Sequence, residues 1–298
     1  MGNLYKKGSF AIIPAFNEQK SIEDVVLKAK EYVDKVIVVD DGSTDQTSSI
    51  AELSGATVIK HGKNRGYGAA LQSCFQQGKE LDANVMVVLD SDGQHDPSEI
   101  PLLIKKIAEG ADIVIGSRLL NDNNCMPAYR KFGVKVLNTV TNAVIGQEIS
   151  DTQSGYRAYS KNAIDKISIK GSGMSAGSEI LISAKKNDLE IKEVAINCEY
   201  EVYNPSTLNP VRHGIGVLMG IARTVMVDRP LFYFGAAGVL MIFIGFIFAM
   251  QLISGHNSGS NLAFGPTMLM VLLIISGLLT TFKGLMLYSS DRVKSEGG

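Results

Sequence analysis

The chain has 298 residues, with 29 Lys and Arg against 30 Asp and Glu, and a formal net charge of -1. That balance argues against the overall basic excess of a nucleic-acid binder. Three widely spaced cysteines (Cys74, Cys125, Cys198) form no CxxC pair, which argues against a zinc knuckle or a disulfide framework and predicts reduced thiols facing a cytoplasm.

The N-terminus, MGNLYKKGSF, lacks the apolar core of a signal peptide, so the first domain is expected on the synthesis side of a membrane. It also lacks the Ser or Thr of a myristoylation signal. Short Val- and Ile-rich runs follow: Phe10–Pro14, Val36–Asp40, Thr57–Lys60, Val85–Asp90 and Ile113–Gly116 read as buried strands. Between the first two, Ile22, Val25, Val26, Ala29, Tyr32 and Val33 share one helical face. Alternation of strands and helices predicts an α/β fold with a mostly parallel sheet covered on both faces, its site at the carboxyl ends of the strands.

Polar clusters stand at those ends. Asp40-Asp41-Gly-Ser-Thr-Asp45 follows one strand, with side chains suited to accept from a base or ribose, a turn at Gly42, and Ser43 or Thr44 as the next helix N-cap. Asn64-Arg-Gly-Tyr-Gly68 opens a helix in the manner of a phosphate-binding turn but lacks the third Gly of a dinucleotide fingerprint. Asp90-Ser-Asp92-Gly-Gln94 supplies two carboxylates and an amide oxygen, hard donors for Mg²⁺ or Mn²⁺ beside a diphosphate. The same DxDG pattern opens the nucleophile loop of haloacid-dehalogenase-type phosphatases, which continues with Thr or Val where this chain has Gln94. Asp96-Pro-Ser-Glu99 then reads as a helix start, with Asp96 the N-cap and Glu99 its capping-box partner. Arg118 ends a strand, and Arg130 falls near the start of the next helical pattern.

Residues 211–229 mix apolar residues with Arg212, His213 and Arg223, a pattern shared by an interfacial amphipathic helix and by the last helix of a globular domain. Residues 231–253 and 262–282 are uncharged apolar stretches, the first spanning roughly 34 Å as a helix, enough for a bilayer core. Arg223 and Arg229 precede this hairpin, and Lys283, Arg292 and Lys294 follow it, so both termini are expected in the cytoplasm of a two-span cell-membrane protein. Gly235, Gly238 and Gly245 would permit close helix approach, including between copies in a homo-oligomer. The expected organisation is a catalytic domain over 1–210, a juxtamembrane helix over 211–229 and the two membrane helices within 230–290.

Six motifs in order carry a resemblance: Ile13-Pro-Ala-Phe-Asn-Glu18, Val38–Asp45, Asn64–Ala70, Leu89–Pro97, Gly116-Ser-Arg118 and Asp151-Thr-Gln-Ser-Gly-Tyr-Arg157. Over roughly residues 8–215 the chain closely resembles family 2 glycosyltransferases, and among them the dolichyl-phosphate mannose and glucose synthases. The resemblance implies a GT-A fold, inversion at the anomeric carbon, a nucleotide-sugar donor, a polyprenyl phosphate acceptor and Mg²⁺ or Mn²⁺. It implies that Pro14, Asn17, Glu18 and Asp41 line the nucleotide pocket and that Asp90 sits by ribose and metal. Asp92 and Gln94 would ligate the metal, Arg118 and Arg130 would hold the lipid phosphate, and Asp151 stands where the family has its candidate base. Gly177-Ser-Glu-Ile180 resembles an acceptor-side helix. The processive members' QxxRW signature is absent, and the chain has no Trp, which argues against polymer synthesis. The same fold with another lipid or glycan acceptor, and a non-catalytic membrane scaffold, are the competing readings.

Overall fold

The computed structural model describes residues 7–120, 128–169, 171, 173–198, 210–228, 230–257 and 264–296. The chain forms two compact units, Met1–Ile221 and Ala222–Gly298.

The first unit is built on strands β1 (Ser9–Ala15), β2 (Lys35–Asp40), β3 (Thr57–Lys60), β4 (Val85–Val88), β5 (Ile113–Ser117), β6 (Arg157–Ser160) and β7 (Ile191–Ala195), in the order β3-β2-β1-β4-β6-β5-β7. The five expected strands are present, but β3, expected to be buried, is a half-exposed strand because it forms the edge of the sheet. β1 to β4 are parallel, with Ile13 opposite Val38 and Ala11 opposite Val87. The sheet is mixed because β6 runs antiparallel between β4 and β5, with Arg157 opposite both Val88 and Ile115. Side chains alternate between faces along each strand. Ala11, Ile13, Val36, Val38 and Val87 therefore meet α1 (Ile22–Ala29) and α4 (Ile100–Ala108) in one buried cluster. The opposite face is covered by α3 (Tyr67–Glu80) and α6 (Lys161–Lys166), so closely that a Cβ at Gly78 would meet Met86 Sδ at 2.9 Å, and α7 (Ala176–Lys186) packs on these two helices. A short helix α2 (Thr47–Leu53) follows β2, and α5 (Ala128–Ile145) lies between β5 and β6 in the chain.

Two local expectations are corrected. Asp96 does accept from the Ser98 N–H (3.0 Å), but Glu99 does not return to Asp96. Its carboxylate instead accepts from the backbone N and side-chain Nδ2 of Asn197, both at 3.0 Å, because a buried acid gains more from two donors than from a solvated cap. Neither Ser43 nor Thr44 caps α2. The helix starts at Thr47, whose N–H donates to Asp45 Oδ1 at 3.0 Å.

Helix α8 (Pro210–Asp228) crosses the division between the units. Val217 and Ile221 are buried on the first unit, and Gly220 approaches Ser175 without room for a Cβ, while Ile215 and Met219 are exposed. In the second unit a π-helical turn, Leu231–Gly235, leads into α9 (Ala236–Asn257), which packs against α10 (Phe264–Glu296). The apolar stretches Leu231–Ser254 and Phe264–Ser289 contain 24 and 26 residues, about 36 and 39 Å of helix, each long enough to cross a bilayer core. A Cβ at Gly238 would lie 2.5 Å from the Gly277 carbonyl, and one at Gly277 would lie 2.6 Å from the Gly238 carbonyl. Gly238, and likewise Gly245 against Ile274, is therefore occupied within the hairpin, whereas Gly235 has open space. Lys283 Nζ lies 5.1 Å from the centre of the Phe234 ring, the geometry of a cation–π contact.

Candidate active site

The parallel strands β1, β2, β4 and β5 all end at one edge of the sheet, and the antiparallel β6 begins there. Residues that leave four strands and residues that enter a fifth thus meet at one edge.

At the end of β1, Pro14 is buried opposite Val39. Asn17 adopts a left-handed φ of 58° and uses its side-chain oxygen to accept from the Thr44 N–H at 2.9 Å. Its own N–H donates to Ser43 Oγ (2.9 Å), and the Glu18 N–H donates to Thr47 Oγ1 (2.8 Å). The β1 and β2 loops are thereby closed on each other, and Asn17 is a brace between them. Asp40, fully buried, accepts from the Ser43 N–H at 2.8 Å and from the Ser48 hydroxyl. Asp41 accepts from His61 Nδ1 (2.6 Å), the Arg65 N–H (3.0 Å) and the Gly66 N–H (2.8 Å). The Gly-rich turn that opens α3 is thus tied to the carboxylate that ends β2. Sequence reasoning missed His61 and its neighbour Ser73, because His61 follows the half-exposed edge strand β3 and Ser73 lies 12 residues further on.

After β4, Asp92 Oδ1 accepts from the Gln94 N–H at 3.0 Å, folding the acid loop on itself, and Ser21 Oγ donates to the Ser91 carbonyl at 2.8 Å. Asp90 keeps a third of its side chain exposed and lies 3.7 Å from His95 Nε2. Its carboxylate rests on Gly155, where a Cβ would come within 2.4 Å of Oδ2. Burial pushes Asp90 up, but His95, Arg118 and Arg157 outweigh it and hold the carboxyl below its ordinary range. Asp92 is raised, by burial and then by the Asp90 charge. Glu18 is raised as well, by burial, against a hydrogen bond from Ser21, and then by the charges of Asp92, Asp45 and Asp90. Asp92 and Glu18 thus both feel the Asp90 charge, and the hard oxygens of Asp90 and Asp92, with Gln94, have the chemistry of a Mg²⁺ or Mn²⁺ site. Among the described residues no three His, Cys, Asp or Glu side chains already form a cage.

Across the edge, Arg118 and Asp151 form a bidentate pair. Arg118 Nε donates to Oδ2 (2.7 Å), Nη2 to Oδ1 (3.0 Å) and the Arg118 backbone N–H to Oδ2 (3.1 Å). Asp151 is fully buried, and burial alone would raise it; the Arg118 charge and hydrogen bonds, with Arg157 beyond, hold it below the ordinary carboxylate range. Arg157 is itself buried and donates to the carbonyls of Ser154 (2.8 Å), Gly177 (2.9 Å) and Thr152 (2.7 Å), stapling the loop before β6 to α7. In the Gly177–Ile180 stretch, Glu179 accepts from the Gly171 N–H and from Ser175 Oγ, both at 2.9 Å, so it braces this same region. Arg130 belongs to α5, and its side chain lies outside the described residues.

Residues 10–168 match the model of a family described as Glycosyl transferase family 2. The UDP-N-acetylglucosamine–dolichyl-phosphate N-acetylglucosaminyltransferase of Methanococcus voltae is 35% identical over 234 residues, covering 71% of this chain and 91% of the relative. The dolichol-phosphate mannosyltransferase of Pyrococcus furiosus is 35% identical over 188 residues, 58% of this chain and 52% of the relative. The glucosyl-3-phosphoglycerate synthase of Mycobacterium tuberculosis, solved with Mn²⁺, uridine diphosphate and phosphoglyceric acid, shares the fold with a TM-score of 0.55 and 22% identity, covering 73% of this chain and 77% of that one.

Proposed function

The chain belongs to glycosyl transferase family 2, and on that premise we propose that it transfers a hexose from a nucleotide-sugar to a polyprenyl (dolichyl) phosphate. The reaction would take place at the cytoplasmic face of a cell membrane, with inversion at the anomeric carbon. The observation that carries this reading is the placing, on one sheet edge, of the Asp90–Asp92–Gln94 loop and the bidentate Arg118–Asp151 pair. The first suits a diphosphate approached through a cation; in the second the Nε–Nη2 fork of Arg118 is taken by Asp151, so Arg118 would serve a phosphate by its charge and fixed orientation and not through that fork. The dolichyl-phosphate acceptors named for the two relatives, and the Mn²⁺ and uridine diphosphate in the structural neighbour, support it.

In this mechanism Pro14, Asn17, Glu18 and Asp41 shape the nucleotide pocket. Asp90, Asp92 and Gln94 would hold Mg²⁺ or Mn²⁺, which when bound neutralises the diphosphate and improves it as a leaving group. Arg118, with Arg130, orients the acceptor phosphate in line with the anomeric carbon. A phosphate oxygen of the acceptor forms the new bond to that carbon as its bond to the diphosphate oxygen breaks, and the electron pair departs with the nucleoside diphosphate. An alkyl phosphate is already anionic near neutral pH, its second pKa being about 6, so no proton has to be removed. Asp151, held ionised by Arg118, is then a fixed orienting group with no need to act as base. The hairpin would keep the catalytic unit where a lipid acceptor resides, with the basic residues that flank it facing the cytoplasm.

The test uses purified full-length protein in lipid nanodiscs with Mn²⁺, polyprenyl phosphate and a panel of UDP-N-acetylglucosamine, UDP-glucose and GDP-mannose. A chromatographically resolved lipid-linked sugar from one donor is expected. Release of sugar to water or to a glycan, with none on the lipid phosphate, would overturn the acceptor assignment.

A further inference from the structure

Asp41 ends β2 with its side chain 5% exposed and three hydrogen bonds already made. Oδ1 accepts from His61 Nδ1 and from the Arg65 N–H; Oδ2 accepts from the Gly66 N–H. A carboxylate offers about four lone-pair positions, two on each oxygen. Oδ1 is therefore saturated, and Oδ2 keeps one position. His61 is fixed in turn. Its Nδ1 lies 2.6 Å from Asp41 Oδ1 and its Nε2 lies 2.9 Å from Ser73 Oγ on α3, so the ring is held at both nitrogens. Both His61 and Asp41 are buried, so this relay holds the carboxylate in one rotamer.

Resting on the reading above, in which Asp41 lines the nucleotide pocket, we infer that His61 and Ser73 leave Asp41 one acceptor position, and that the site thereby selects a uracil nucleotide over a guanine nucleotide. Uracil presents one ring N–H between two carbonyls, which a single remaining lone pair satisfies. Guanine presents its ring N–H and exocyclic amine side by side, and so requires an acceptor position on each carboxylate oxygen. Oδ1 has none to give. Guanine would leave a buried donor unpaired or drive His61 off Asp41, and sites with fixed polar partners discriminate by that penalty. His61 is a positioning residue: it touches Asp41, and Asp41 touches the base.

Calorimetric titration of the full-length protein in detergent with Mn²⁺ tests this with three probes: UDP, GDP and N3-methyl-UDP. UDP is expected to bind about tenfold or more tighter than each of the other two, the scale of one unmet buried hydrogen bond. His61→Ala should bring UDP to within about threefold of GDP, and Ser73→Ala should move it the same way by a smaller factor, with folding checked by thermal melting. The comparison of nucleotides on the unaltered protein needs no variant. GDP binding as tightly as UDP, or indifference to N3-methylation, overturns the base assignment and leaves the transferase reading standing. A folded His61→Ala protein that keeps the full UDP preference overturns the role of His61. Failure of both UDP and GDP to bind overturns this assignment together with the reading it rests on.

Discussion

Replacing Gly155 by alanine places one methyl group against the central acid. A Cβ at this position lies 2.4 Å from Asp90 Oδ2 and 2.7 Å from Oδ1. Carbon and oxygen in contact keep about 3.3 Å, so the carboxylate must retreat by roughly 0.9 Å. The Gly155 backbone is outside the left-handed region, so alanine meets no conformational penalty there. Asp90 is a third exposed and yields toward the crevice, which keeps the stability cost near the lower end of the ~1–3 kcal/mol typical of overpacking. A displacement on the order of 1 Å at a reacting centre costs about 100-fold in rate. Gly155→Ala should therefore melt within a few degrees of the unaltered protein while kcat falls about 100-fold and the half-saturating Mn²⁺ concentration rises. The assay is a steady-state rate at saturating donor and acceptor over a Mn²⁺ titration, run beside a thermal melt. A folded Gly155→Ala enzyme with kcat within about threefold of normal would refute the argument that Asp90 must sit on this glycine.

Asp151 has a folded-state pKa below its unfolded value of about 3.9. Its contribution is therefore fully present above that value and is lost as pH falls through the folded pKa, so it adds no slope to the melting temperature between pH 5 and 8. Asp151→Asn should cost about 3–5 kcal/mol, because it breaks a buried pair from one side, and should also introduce weak acceptor saturation; a variant of unchanged stability would contradict the pairing. EDTA should stop turnover and added Mg²⁺ or Mn²⁺ restore it, and Asp92→Asn should lose most of the rate even at saturating metal; full activity in EDTA would remove the metal from the mechanism. Gly238→Leu should separate α9 from α10, read as loss of a disulfide cross-link engineered between the helices, since its side chain would have to occupy the space of Thr281 and the Gly277 carbonyl. Protease added outside sealed cells should leave tags at either terminus intact, and cleavage of one would reverse the assigned orientation.

The sequence made β1 to β5 legible because each is a Val- or Ile-rich run closed by a polar cluster. It left β6 and β7 hidden: Arg157-Ala-Tyr-Ser160 and Ile191-Lys-Glu-Val-Ala195 are short and carry charges that resemble loop. The acid cluster after β4 was visible for the same reason as the strands. The Arg118–Asp151 pair was visible only as two separate residues, since 33 positions separate partners that the antiparallel β6 brings together. Glu99 was misassigned because local spacing favours a capping box, whereas its partner Asn197 is 98 residues away. His61 carried no local sign of its role; Asp41 and Ser73 converge on it from two further elements.

The reversed direction of β6 has a consequence for how such a chain can diversify. Strands β3, β2, β1 and β4 form one contiguous flank of the sheet and come from the first third of the chain, while β6, β5 and β7 form the other flank and come later. The seam between the flanks is the short β4–β6 ladder, Val85–Val88 against Arg157–Ser160. Side chains cross that seam as well: Phe75 on α3 meets Tyr159 of β6 edge to face at 4.9 Å, Gly155 lies under Asp90, and Glu99 holds Asn197, so the two flanks must change together as such chains diverge.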